Sequence, residues 1–108
     1  MLSGKNRLDK KEISKLREEK LPVLQGRYLG LIYKPANEKK FSLIVSSKIS
    51  RKAVERNRIK RLFYNTLKES FFDLSGFFLF LAKKNIIAAK KEDLTLDLEG
   101  FKTKVRQR

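Results

Sequence analysis

The segment that most restricts the fold is Phe77-Phe78-Leu79-Phe80-Leu81-Ala82, six consecutive apolar residues between Gly76 and Lys83. A run this short cannot cross a bilayer, which takes about 20 residues as a helix. Apolar on both faces, it reads as a central strand covered on either side, not as an edge. The rest of the chain must therefore supply flanking strands and covering helices.

Candidates for both are present. Arg27 to Lys34 is rich in strand formers, Pro35-Ala36-Asn37-Glu38 supplies a turn, and Phe41 to Ser46 alternates. In that second run Phe41, Leu43 and Val45 share one face and Ser42, Ile44 and Ser46 the other, with one face expected in the core. The pair is expected to form a hairpin. Lys10 to Lys20 reads as a short charged helix with Ile13, Leu16 and the stem of Lys20 on one side, ended by Pro22. Leu94, Leu98, Phe101 and Val105 recur at helical spacing near the C-terminus, and Gly100 weakens that helix by about 1 kcal/mol relative to Ala.

Between Arg51 and Phe71 the period is also helical. Ile59, Leu62, Phe63, Thr66, Leu67 and Ser70 fall on one stripe. With successive residues about 100° apart, Asn57, Lys60, Arg61, Tyr64 and Lys68 fall opposite, and Arg56 and Arg58 flank them. The expected order is α, β, β, α, β, α, with room for an extra short strand in the first half. That is an α+β fold: a small mixed sheet with three helices, the basic helix carried on a strand-helix-strand crossover. With no repeat and no linker, residues 1–108 are expected to form a single domain.

Charge then narrows the function. The 27 Lys and Arg against 12 Asp and Glu give +15 at neutral pH, which calls for a polyanionic partner. The chain has no Cys and no His, which removes zinc sites, thiol nucleophiles and histidine-based pairs. Between Lys48 and Arg61 stand Lys48, Arg51, Lys52, Arg56, Arg58, Lys60 and Arg61 against the single acid Glu55. Such a block grips phosphates and releases condensed cations, so an RNA-binding domain is expected. The N-terminal Met1-Leu2-Ser3-Gly4-Lys5 lacks the apolar stretch of a signal peptide, so a cytoplasmic location is expected.

The string Arg56-Asn57-Arg58-Ile59-Lys60-Arg61-Leu62, preceded by Val45-Ser46-Ser47-Lys48 and Ala53-Val54-Glu55, closely resembles the signature of the bacterial ribonuclease P protein subunit. Asn6-Arg7-Leu8 is similar to that family's N-terminal element, and Phe77 to Ala82 with Lys83-Lys84 to its late strand. The resemblance implies a basic subunit that joins a catalytic RNA to remove the 5′ leader of precursor tRNA. It also implies a left-handed crossover, where the usual preference would be right-handed. On this resemblance the RNA holds Mg2+ and performs the hydrolysis, and the protein has no catalytic residue.

Carried over by position, Lys48, Arg51, Lys52, Arg56, Asn57, Arg58, Lys60 and Arg61 face the catalytic RNA, joined by Lys68, Lys83 and Lys84. Asn57 is the candidate contact to hydrated magnesium. The family's leader cleft lies between the sheet and the first helix, and its candidates here are Ile13, Arg17, Tyr28 and Tyr33. The two tyrosines are expected on opposite strand faces. This chain departs from the family in lacking two phenylalanines one turn apart on the first helix and in placing Tyr64 where a basic residue usually stands. It also ends at Gln107-Arg108 without a longer basic tail. The expected partners are the catalytic RNA and precursor tRNA, with a monomeric free protein and no membrane or small-molecule cofactor. The rival reading is a general RNA- or ribosome-binding basic protein with no part in cleavage, which requires only the charge and a basic helix.

Overall fold

A computed structural model describes residues 4–106. The residues read above as the start of the chain, Met1 to Ser3, and as its end, Gln107 and Arg108, lie outside the described residues. Helix α1 (Lys10–Glu18) is followed by strands β1 (Leu24–Gln25), β2 (Leu29–Lys34) and β3 (Lys39–Ile44). Helix α2 (Ala53–Ser70), strand β4 (Gly76–Ala82) and helix α3 (Lys91–Arg106) complete the order, with 3₁₀ turns at Gly4–Asn6 and Lys84–Ala88.

The sheet runs β1-β2-β4-β3. Strand β4 pairs antiparallel with β2, Phe80 opposite Leu31, and parallel with β3, Phe80 opposite Leu43. The expected hairpin is therefore absent: β2 and β3 each pair with β4 and not with one another. The strand that is apolar on both faces takes an inner place, where both edges are hydrogen-bonded and each face meets a hydrophobic cluster. The lysine-bearing β3 is displaced outward. Residues 35–38 carry the chain past the start of β4, where the Gly76 N–H donates to Glu38 O at 2.7 Å. Gly76 has φ +138°, and a Cβ there would lie 2.7 Å from Tyr33 Cε1, so no other residue fits without strain.

One sheet face, built from Leu29, Leu31, Phe41, Leu43, Phe78 and Phe80, packs under α2 and α3. Phe41 stacks on Phe78 at 5.1 Å, and Phe63 of α2 meets Phe80 edge-on at 5.0 Å. Such pairs contribute about 0.5–1.5 kcal/mol beyond area burial. Leu94, Leu98, Phe101 and Val105 of α3 are all buried there, and α3 runs unbroken through the exposed Gly100. Tertiary burial outweighs the local cost of glycine.

The opposite face is covered too. Ile32 and Leu79 form a second cluster with Leu8 and with Leu16 of α1, against which Ile13, Ile44, Phe77 and Leu81 pack. Helices thus flank the sheet on both sides, and both faces of β3 contribute to packing. Helix α1 begins at a capping box, in which the Glu12 N–H donates to Asp9 Oδ1 at 2.8 Å and the Asp9 N–H to Glu12 Oε1 at 3.0 Å. It ends at Glu18. Lys20, expected on the helix, is exposed with φ 52° beyond it, a left-handed exit ahead of Pro22.

Both outer edges of the sheet are guarded. Strand β1 has two residues, and its Gln25 O accepts from Lys104 Nζ. Along β3, Lys39 O accepts from Asn6 Nδ2 at 2.8 Å, Phe41 O from the Leu8 N–H at 3.2 Å, and the Leu43 N–H donates to the Tyr64 hydroxyl at 3.1 Å.

Candidate nucleic-acid interface

Helix α2 leaves the loop after β3 with Lys52 at its N-cap, which makes no side-chain cap. The work of fixing that end falls to Arg56, whose Nη1 donates to Ser50 O at 2.8 Å. Along the helix Ile59, Phe63, Tyr64, Thr66 and Leu67 are buried. Thr66 Oγ1 donates to Leu62 O, so its burial leaves no polar atom unpartnered.

This stripe is rotated from the expected one toward Tyr64. Tyr64 is 7% exposed and inward, not on the basic face, while Leu62 is only half-buried. The tyrosine hydroxyl answers the N–H of the edge strand, which pulls that side of the helix down onto β3.

The rotation also sorts the cations. Asn57, Arg58, Arg61 and Lys68 are exposed on the outward side, and Lys60 and Arg56 sit half-buried along the flank. Val54, 78% exposed, shares a shallow depression with Asn57, Lys60 and Arg61. Lys48, Arg51 and Lys52 are exposed just before the helix. Arg58 Nη2 donates to Ile87 O at 3.2 Å and so ties α2 to the 3₁₀ turn after β4. Lys83 spends its ammonium on Gly26 O at 2.7 Å, whereas Lys84 is exposed. Arg56, Arg58 and Lys83 therefore shape the surface while contributing charge to it, and Lys60, Arg61 and Lys84 are free to reach a phosphate.

The α1 side of the sheet differs from expectation in its aromatics. Tyr33 stacks on Phe78 at 5.0 Å, on the face under α2 and α3, and Tyr28, which precedes β2, packs against the same cluster. They do not lie on opposite faces, because alternation begins only at Leu29. The chain before it is held by Asp97, whose carboxylate accepts the N–H groups of Arg27, Tyr28 and Leu29 at 3.0, 2.7 and 3.1 Å. Neither ring turns toward α1.

Ile13 of α1 is half-buried against the second cluster, and Arg17 is exposed on the same helix. The aromatic that the sheet presents there is Phe77, which was not among the expected site residues. It lines a small pocket with Glu12, Lys15, Leu16, Glu19 and Lys34. Period two within the run from Phe77 to Ala82 could have found it, since Phe77, Leu79 and Leu81 share the face opposite Phe78 and Phe80. Lys34 and Lys40 close ion pairs across this side, to Glu19 at 2.7 Å and to Glu12 at 2.8 Å.

Among the described residues no three of Asp, Glu, His or Cys come together as a metal-binding group. No described helix is long and apolar enough to cross a membrane.

The family model Ribonuclease P matches residues 2–106. No curated protein matches the chain. The fold is similar to the Staphylococcus aureus RNase P protein at 19% identity, over 93% of this chain and 94% of that one, with a TM-score of 0.74. A Staphylococcus aureus RNase P protein mutant with defective mRNA degradation activity gives 18%, 94%, 88% and 0.77 in the same order. The RNase P protein from Thermotoga maritima gives 16%, 88%, 93% and 0.73. At such identities these likenesses carry the α+β architecture of three helices and a four-stranded mixed sheet.

Proposed function

The chain belongs to the ribonuclease P protein family, and from that premise we propose how its surfaces share the task. It is a subunit of the ribonuclease P endoribonuclease, partners the ribonuclease P RNA, and serves RNA binding and tRNA 5′-end processing. On our reading the outward side of α2, with Asn57, Lys60 and Arg61 around Val54, docks on the catalytic RNA. The observation that carries this is the phase of the helix: its apolar stripe is consumed by the core, and its cations are left outward. Phosphate contacts of this kind position an RNA without reading its sequence.

The 5′ leader of precursor tRNA runs, in this proposal, beside α1, where Ile13, Arg17 and Phe77 offer apolar contact, a guanidinium and a ring. Base stacking of this sort contributes about 1–3 kcal/mol per base. Hydrolysis belongs to the RNA, which holds most of the magnesium. Bound there, magnesium supplies an activated water and stabilises the departing oxygen. Toward a hydrated magnesium ion Asn57 would bring one neutral amide oxygen. The free protein is monomeric and works in the cytoplasm.

The test is cleavage of precursor tRNA by a bacterial ribonuclease P RNA at low magnesium, with and without this protein, and with the protein alone. Rescue by a protein inert on its own is expected. No rescue, with binding no better than to an unrelated RNA, would leave a general RNA-binding protein. Cleavage by the protein alone would refute the assignment of chemistry to the RNA.

A further inference from the structure

We propose that Asp97 is a positioning residue for RNA docking: through the loop at residues 26–28 it fixes the 3₁₀ turn that presents Lys84 and holds Arg58, an inference that rests on reading those two cations as RNA-facing. The first observation is how Asp97 commits its charge. Both carboxylate oxygens accept backbone N–H groups, Oδ1 from Arg27 at 3.0 Å and Oδ2 from Tyr28 and Leu29 at 2.7 and 3.1 Å. An anion in a chain of net +15 has many cations to pair with, yet this one is given to three successive amides. Such charge-assisted bonds are stronger than neutral ones. Gly26 lets the loop come this close, since a Cβ there would lie 2.9 Å from Asp97 Oδ2 and 2.8 Å from Phe101 Cζ.

The second observation is what the loop holds in turn. Its three carbonyls all accept from the residues that follow β4: Gly26 O from Lys83 Nζ at 2.7 Å, Arg27 O from Asn85 Nδ2 at 3.1 Å, and Tyr28 O from the Lys83 N–H at 2.9 Å. Lys83 and Asn85 flank Lys84, which is exposed and opens the turn Lys84–Ala88. The same turn offers Ile87 O to Arg58 Nη2. A guanidinium carries five N–H donors in a rigid fork, so one bond to a fixed carbonyl sets the direction of the others.

The hydrogen bonds therefore run in one line, from α3 through the loop and the turn to α2. Along it two cations are ordered when the protein folds, and less freedom is lost when a phosphate arrives. Charge alone predicts the opposite role for Asp97. Removing a carboxylate raises the net positive charge and should strengthen attraction to RNA; removing a positioning residue should weaken binding in spite of that.

The experiment measures binding of the full chain to ribonuclease P RNA against salt, below the melting temperature of every variant. Asp97→Asn is expected to bind more weakly than the parent, with a log–log salt slope shallower by about one unit for each of Lys84 and Arg58 that leaves its phosphate. Asn85→Ala, at an exposed and uncharged position on the other side of the loop, should do the same, and it decides the matter should Asp97→Asn not fold. In a Lys84→Gln background Asp97→Asn should lose less than it does in the parent, because the two act through a shared contact. Binding as tight as the parent's or tighter, an unchanged slope, or losses that add fully with Lys84→Gln each overturn the proposal. Asp97 would then be a structural residue, read only in the melting temperature. Lys60→Ala and Arg61→Ala report separately on the reading of α2. Slopes that fall for those two while Asp97→Asn keeps the parent's overturn this inference alone; a slope that falls for Asp97→Asn and not for them upholds it and removes the outward side of α2 from the interface.

Discussion

Tyr64 is where residue-level reading met its limit. The spacing of Ile59, Phe63, Thr66 and Leu67 marked the buried side of α2 correctly. A tyrosine can serve either side, however, and only the Leu43 N–H of a strand distant in sequence decides for the core. Tyr64→Phe should cost about 1–3 kcal/mol, since it leaves that buried N–H without its acceptor. Phe63→Ala should cost about 3–5 kcal/mol from a fully buried site, and Leu62→Ala clearly less, Leu62 being half-exposed. Urea unfolding of the three variants checks the order; equal losses at Leu62 and Phe63 would mean the helix is turned as the apolar spacing alone suggested. Phe77 teaches the converse. Its face was readable from alternation, but which face meets α1 was not, because that depends on where Leu16 docks.

At the level of elements, the existence of each strand and helix was legible and their pairing was not. The run from Phe77 to Ala82 demanded a central place, yet the short connection at 35–38 made a hairpin the local expectation. Central burial on both faces won over chain proximity. Gly76 marks the cost of threading β4 between its neighbours, and Gly76→Ala should destabilise by about 1–3 kcal/mol through a positive φ and the approach to Tyr33. Thermal melts decide this, and no loss would show that the turn can relax. A second element contact is electrostatic. The Lys102 ammonium, hydrogen-bonded to Asp73, holds that carboxyl below its ordinary range, and Arg106 adds to it, joining α3 to the loop after α2. A depressed carboxyl stabilises the fold above its unfolded pKa, about 3.9, and loses that contribution as the pH falls through the folded value. Asp73→Asn should therefore melt lower than the parent at pH 7, and the gap should shrink as the pH falls below the ordinary carboxyl range. A gap that persists in acid would assign the effect to packing.

For the whole molecule, charge was the most legible property and its distribution the least. A net +15 announced a polyanion, but three of the expected contacts, Arg56, Arg58 and Lys83, turn out to bind backbone carbonyls within the protein. Composition counts them equally; only the fold distinguishes a tether from a free cation. Lys60→Ala and Arg61→Ala should each lower the salt slope of binding to ribonuclease P RNA by about one unit, and unchanged slopes in both would remove the outward side of α2 from the interface. So many like charges oppose close approach of two copies, an opposition that bound RNA removes, and a bare strand edge would then invite strand-to-strand growth. The guarded edges close that route: Asn6, Leu8 and Tyr64 occupy one rim, and the other is two residues long. Neutralising the charge of such a protein therefore leaves few unpaired strand groups on which another copy could build.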